Sequence, residues 1–264
     1  MSLEKLYTKT FAKETNYFTH WLPSAALTLG TVGSLDGYMF VPKSTLQDMG
    51  IAFNPLTDVV QDLSPTPMNF TSSKGVGITV QTTADTKQFL AGVPVGKAGL
   101  GVQFSKKGSF VLRAAKAFEP RIRDVHRIEM EIMNAFKAGK WPRDYVVITQ
   151  LWHAPYMDAF ISDDSNASCD LQLDGDAGAI VPELGNASAK FSLVRSTGKV
   201  ISLLGCQDVH PAFLLSGLKS SGRRLFHSPN AMHADGLATA DEVVGADDVD
   251  DYSFGQINPV DLDG

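Results

Sequence analysis

Six histidines, two cysteines and a few acidic runs are the side chains of this 264-residue sequence best suited to chemistry, and their spacing assembles no familiar site. His20, His126, His153, His210, His227 and His233 form no H-E-x-x-H or H-x-x-x-H pair. His227 and His233 with Asp235 are dense enough to suggest a metal, but an acidic tail lacks the rigid support that ligating histidines need. The run DLQLDGD, Asp170 to Asp176, has the alternating acids of a calcium loop without its distal bidentate Glu, and reads as a polar turn. No G-x-S-x-G elbow is present, and Cys169 and Cys206 lie in neither a catalytic nor a zinc spacing, so both are read as reduced thiols. A carboxylate pair for glycoside hydrolysis would have to come together from distant parts of the chain. GTVGSLDG lacks the dinucleotide-binding spacing, and no G-K-[ST] closes a phosphate loop. The expectation is a protein with no catalytic residue, no resident metal and no cofactor.

Charge is divided unevenly. All 23 Lys and Arg lie in residues 1–224, which hold 20 of the 29 acidic residues. The remaining nine, Asp235, Asp241, Glu242, Asp247, Asp248, Asp250, Asp251, Asp261 and Asp263, fall after Leu225. A slightly basic α+β body (1–224) therefore carries an acidic segment (225–264), which either solubilises the chain or masks a cationic surface. The start MSLEKLYTKTFAKE is charged where a secretory leader needs an apolar run, so a cytoplasmic chain is expected and the three Asn-x-Ser/Thr sequons count as chance. The near-neutral body, without a basic-aromatic sheet motif, argues against nucleic acid.

The elements that would carry a surface of this kind are legible in the periodicity. Leu3–Phe18 fits a helix with Leu3, Leu6, Tyr7, Phe11 and Phe18 on one face and Lys5, Lys9 and Lys13 at i, i+4, i+8. That lysine stripe suits either solvent or a lipid headgroup layer. Residues 21–41 read as two or three short strands, 54–74 as a Pro-rich loop, and 75–82 as a strand. Ala98–Ala117 reads as a hairpin turning at Lys106-Lys107-Gly108. After Pro120 the period changes to 3.6, with Ile122, Val125, Ile128, Ile132 and Phe136 on one face up to Gly139. Strands then follow at 144–152 and 157–162, with a polar loop at 165–176. A second hairpin spans Ala187–Leu204, and an apolar PAFLLSGL segment comes last. The fold class is α+β, with a central twisted antiparallel sheet, long hairpins, one long amphipathic helix and an N-terminal helix. Strands of this alternation fit a half-buried soluble sheet, and their length approaches the 9–11 or so residues of a membrane-crossing strand.

In the order of these pieces, LEKLYTKTFAKETNYF, GVGITVQT, AGLGVQFSKKGSFVLRAA, RIRDVHRIEMEIMNAFKAG, RDYVVITQLWHAPYMDAFIS, ASAKFSLVRSTGKVISLLG and PAFLLSGL, the chain resembles the pore-forming domain of gasdermins, the bacterial type in particular. The resemblance implies an autoinhibited, non-enzymatic protomer that an activating protease releases by removing a short C-terminal segment. Cleavage would fall at Arg223 and Arg224, and homo-oligomers would then insert β-hairpins into anionic membrane. Lys5, Lys9, Lys13, Lys106 and Lys107 would contact the lipid. The chain departs from bacterial gasdermins in having no cysteine near the N-terminus, and GTVGSLDGYMF has no clear counterpart. The alternative is a soluble, non-enzymatic interaction module of the same fold class.

Overall fold

The structure, a computed structural model, describes residues 1–25, 27–81, 99–174, 190–220 and 252–263. Helix α1 (Leu3–Thr15) is capped by Ser2, whose hydroxyl accepts from the Lys5 N–H. It ends sooner than its periodicity suggests. Asn16 takes the left-handed conformation and donates its N–H to the Ala12 carbonyl, and Phe18 instead exchanges backbone hydrogen bonds with Phe213.

Strands β1 (Thr31–Asp36) and β2 (Met39–Thr45) form a hairpin that turns at Gly37, where φ is 63°. The expected 54–74 loop contains β3 (Val59–Val60) and β4 (Thr66–Thr71). Prolines hide β4 in the sequence, yet it pairs on one side only, and such an edge tolerates Pro67. Next come β5 (Val76–Gln81), β6 (Gly99–Phe104), β7 (Phe110–Ala117) and β8 (Arg121–Ile122). Helix α2 (Val125–Lys137) starts at the Asp124 cap, buries Ile128, Ile132 and Phe136, and stops before Gly139 at φ 68°.

Strand β9 (Tyr145–Ser162) is a single strand where two were expected. Pro155 does not break it, because it falls between the pairs Ala154↔Val209 and Tyr156↔Gln207. The expected polar loop at 165–176 is largely β10 (Ala167–Asp174). It is followed by β11 (Lys190–Thr197) and β12 (Val200–Ser220), which absorbs PAFLLSGL. Within the acidic segment lie β13 (Tyr252–Ile257) and a 3-10 helix (Pro259–Asp263).

Among the described residues the strands make two antiparallel sheets. The first is nine-stranded, in the order β13-β12-β9-β1-β2, with β7 then β4, and β8 then β3, continuing from β9. The second is four-stranded, β11-β10-β6-β5. This topology corrects both expected hairpins. β6 and β7 do not pair with each other, and neither do β11 and β12; each turn carries the chain from one sheet into the other. Alternation is the same on either side of such a corner, so the period could not distinguish a corner from a hairpin.

Three apolar clusters hold these layers. Ile128, Ile132 and Phe136 of α2 pack on Val146, Ile148, Leu215 and Ile257 of the large sheet. Tyr7 and Phe11 of α1 pack on Phe110, Leu112 and Met157. The small sheet buries Leu100, Val102, Phe104, Cys169 and Leu171 with Val111 and Phe160 of the large one.

Candidate membrane-active surface

The junction of the two sheets carries the Lys106-Lys107-Gly108 turn read from the sequence. The large sheet contains the run β4-β7-β9-β12 and the small sheet the run β5-β6-β10-β11. Each strand of one run leads directly along the chain into the matching strand of the other, across 72–75, 105–109, 163–166 and 198–199. The corners are stitched together. The Gly108 N–H donates to the Ser162 carbonyl at 2.8 Å, the Ser162 N–H to the Ser109 carbonyl at 2.9 Å, and the Asp163 N–H to the Lys199 carbonyl at 2.8 Å. The Lys199 N–H donates to Asp164 Oδ2 at 2.9 Å.

Helix α1 lies over this junction. Its Tyr7 ring meets Phe110 edge-on at 5.6 Å between centroids, and Phe11 lies 5.1 Å from Phe110 and 5.5 Å from Phe70. Leu6 sits against Gly108, and Glu14 accepts from the Ser73 N–H in the neighbouring corner. Burial raises the Tyr7 phenol well above its ordinary range, so the ring acts here as a core group bonded to Thr19.

The predicted lipid-contact residues fall in two places. Lys5 and Lys9 lie on α1 against the β1–β2 turn: Lys5 Nζ is 2.8 Å from Asp36 Oδ2, and Lys9 Nζ is 5.5 Å from the centre of the Tyr38 ring. Lys13 is in the last turn of the same helix. Lys106 and Lys107 are exposed in the β6–β7 corner, where Lys107 Nζ is 2.6 Å from Asp163 Oδ1. The hydrogen bond from Lys107 holds the Asp163 carboxyl below its ordinary range, with the Lys107 and Lys199 charges adding to it. Arg223 and Arg224, His227, His233 and Asp235 lie outside the described residues.

Sequence reasoning missed Asp36, Tyr38, Asp163 and Asp164, because each gains meaning only from a partner distant along the chain. It also missed the grip of the C-terminal residues. Phe254 and Ile257 are buried in the main core, β13 pairs with β12 from Leu215↔Ile257 to Ser220↔Tyr252, and Arg143 stacks 4.7 Å over Tyr252. The 3-10 helix that follows lies against α1.

Among the described residues the titratable groups that come together are His153, His210 and Asp208, with the two imidazole rings 5.2 Å apart and His153 Nε2 3.6 Å from Asp208 Oδ1. Among the described residues no three His, Cys, Asp or Glu are placed to hold a metal. Asp170 and Asp174 are on β10, so the polar turn expected for Asp170 to Asp176 is extended strand as far as Asp174, and Asp176 lies outside the described residues. Burial pushes the Cys169 thiol up to about 12 and also raises Cys206, the opposite of an activated thiolate. Burial, with the neighbouring His153, lowers His210 to about 4. Among the described residues no helix is long and apolar enough to cross a membrane, which says nothing of strands.

These features define a two-sheet α+β protein with a basic-aromatic helix over the junction and a C-terminal strand on the sheet edge. Two solved structures of gasdermins are similar to the chain over most of its length. The gasdermin A3 membrane pore structure is similar at 8% identity, covering 83% of this chain and 90% of that one, with a TM-score of 0.32. A bacterial gasdermin from Bradyrhizobium tropiciagri is similar at 15% identity, covering 83% and 88%, with a TM-score of 0.33. No family model matches the sequence, and no curated protein does.

Proposed function

We propose that this chain is a non-enzymatic, autoinhibited membrane pore former of the gasdermin kind, cytoplasmic at rest. Removal of its C-terminal segment by a protease activates it, and it then assembles as a homo-oligomer in anionic membrane. The observation that carries this reading is the matching strand order of the two sheets, β4-β7-β9-β12 and β5-β6-β10-β11. An amphipathic four-stranded unit that the chain connects to the main sheet through four short corners is suited to leave the body and cross a bilayer as β-structure. The membrane-crossing units are then the ribbons β5–β6 and β10–β11, in place of the hairpins expected from the sequence.

Inhibition is supported by the C-terminal contacts. β13 completes the edge of the sheet, and the 3-10 helix after it covers part of α1, so losing this segment bares both an unpaired edge and the lysine-bearing helix. Lys5, Lys9 and Lys13 then engage anionic headgroups, with Lys106 and Lys107 following as the corner reaches the surface.

The test is dye release from phosphatidylcholine–phosphatidylserine vesicles, comparing the intact chain with a chain cleaved after folding at a protease site introduced next to Arg224. Leakage from the cleaved form alone is expected. Equal, negligible leakage from both forms overturns the reading in favour of a soluble interaction module.

A further inference from the structure

The inner ribbon, β6–β7 against β10–β9, keeps a single register through its corner. Leu100 faces Leu171 and Phe104 faces Ala167 in the small sheet; Phe110 faces Ile161 and Arg113 faces Asp158 in the large one. Six steps along the chain separate Phe104 from Phe110, and six separate Ile161 from Ala167. The outer corners are unequal. Thr71 to Val76 is five steps against seven from Val111 back to Phe104, and Thr197 to Val200 is three against six from Ser162 to Ser168.

Facing follows from register. A one-residue slip would exchange the two faces of a strand, and no slip occurs in this ribbon. Unfolded at its corner, the ribbon would have Leu100, Val102 and Phe104 opposite Leu171, Cys169 and Ala167 on one face. Phe110 and Leu112 opposite Ile161 and Ala159 would continue that face. Gln103 opposite Ser168 lies on the other face, and the same register sets Ser105 opposite Asn166 and Lys107 opposite Asp164. In the folded state the apolar face of the small sheet is instead covered by Val111 and Phe160, which belong to the opposite face of the large sheet. Only the corner interrupts the apolar face, with Lys106, Gly108, Asp163 and Ser165.

We propose that residues 105–108 and 163–166 form a hinge about which the small sheet swings out with β6 and β10 still paired in register. The folded corner thereby becomes one long amphipathic ribbon, and the hinge comes to rest at the headgroup level. This rests on the pore-forming reading and specifies how the ribbon would reach the bilayer. Lys107 bonded to Asp163, and Asp164 bonded to the Lys199 N–H, hold the hinge closed. Helix α1 bolts it, through Leu6 on Gly108 and Tyr7 and Phe11 on Phe110. Lipid capture of the α1 lysines withdraws the bolt. Because the inner corners match in length, opening needs new backbone angles at the corner and no re-pairing; the outer strands, with unequal corners, adjust around this spine.

The test uses the full chain carrying a site-specific protease sequence between Arg224 and Asp250, cleaved after folding and added to dye-loaded phosphatidylcholine–phosphatidylserine vesicles. Val102→Cys places a thiol directly opposite Cys169, so oxidation ties β6 to β10. Leakage is expected at the same rate oxidised and reduced. Loss of leakage on oxidation, restored by dithiothreitol, would show that the strands must part and overturns the hinge.

Independently of that variant, donor and acceptor dyes at Thr79→Cys and Lys116→Cys, in a Cys206→Ser background, report the angle. Both positions are exposed, one on each sheet, and they stand roughly 50 Å apart along a straight ribbon. Energy transfer is expected to be lost as leakage begins; unchanged transfer during leakage overturns the proposal. If the cleaved parent chain never leaks, the pore-forming reading fails and the hinge falls with it. That outcome is separate from leakage that the bridge abolishes.

Discussion

Gly108 lies directly beneath Leu6: a Cβ built on residue 108 would stand 2.6 Å from Leu6 Cγ, and φ at 108 is 79°. The one position in the β6–β7 corner that needs a left-handed backbone is thus also the position on which α1 rests.

Gly108→Ala is expected to destabilise the chain by about 2 kcal/mol, combining a positive-φ penalty of roughly 1 kcal/mol with overpacking against Leu6. Urea midpoints check this. Leu6→Ala added to Gly108→Ala should recover the overpacking part and leave the backbone part, giving a favourable coupling in a double-mutant cycle.

Acidification should weaken the fold through His210. Its ring lies 5.2 Å from that of His153, near Asp208, and its backbone N–H donates to the Ala25 carbonyl. Its folded pKa is lowered to about 4 from an ordinary 6.5, so between these values the unfolded chain binds a proton that the native one refuses. Stability is therefore full above pH 6.5 or so and falls as pH drops toward 4. Allowing for the ring's partial exposure, the loss is on the order of 1–2 kcal/mol. Urea unfolding at several pH values, wild type minus His210→Asn, isolates it from the carboxylates; a pH-independent difference would sink the assignment.

Ile257→Ala should loosen the C-terminal strand. Ile257 is fully buried, opposite Leu215 and against Gly217, and such truncations cost about 2–5 kcal/mol. If β13 restrains the body, the uncleaved variant should leak vesicles that the uncleaved parent leaves intact. Reduced stability without any leakage would confine β13 to a structural role.

The contact between Lys5 and Asp36 should matter for lipid more than for folding. Both side chains are over two-fifths exposed, and pairs of this kind are worth about 0–1 kcal/mol. Asp36→Asn should leave the urea midpoint within error while strengthening co-sedimentation with anionic vesicles. Joint replacement of Lys5, Lys9 and Lys13 by Gln should weaken it, and both effects should shrink at high salt. Binding insensitive to all four positions would remove α1 from the lipid-contacting surface.

The sequence by itself determined the elements whose signals are local. A period of 3.6 ending at glycine marked α2, the apolar face marked α1 but carried it to Phe18, past its end at Thr15, and alternation marked β5, β6, β7 and β11. Gly108 and Gly198 were recognisable as turn glycines, and both take positive φ. Only the tertiary structure decided that the turns at those glycines join two sheets, that β10 is a strand, and that the C-terminal residues supply an edge strand. The reason is physical. Alternation records which side of a strand is apolar but not which strand lies beside it, since pairing is fixed by contacts such as Phe104 with Ala167 or Leu215 with Ile257, far apart along the chain. For the same reason the lysines could be counted in advance, whereas the acids that hold them, Asp36 and Asp163, emerged only when the fold brought them within reach.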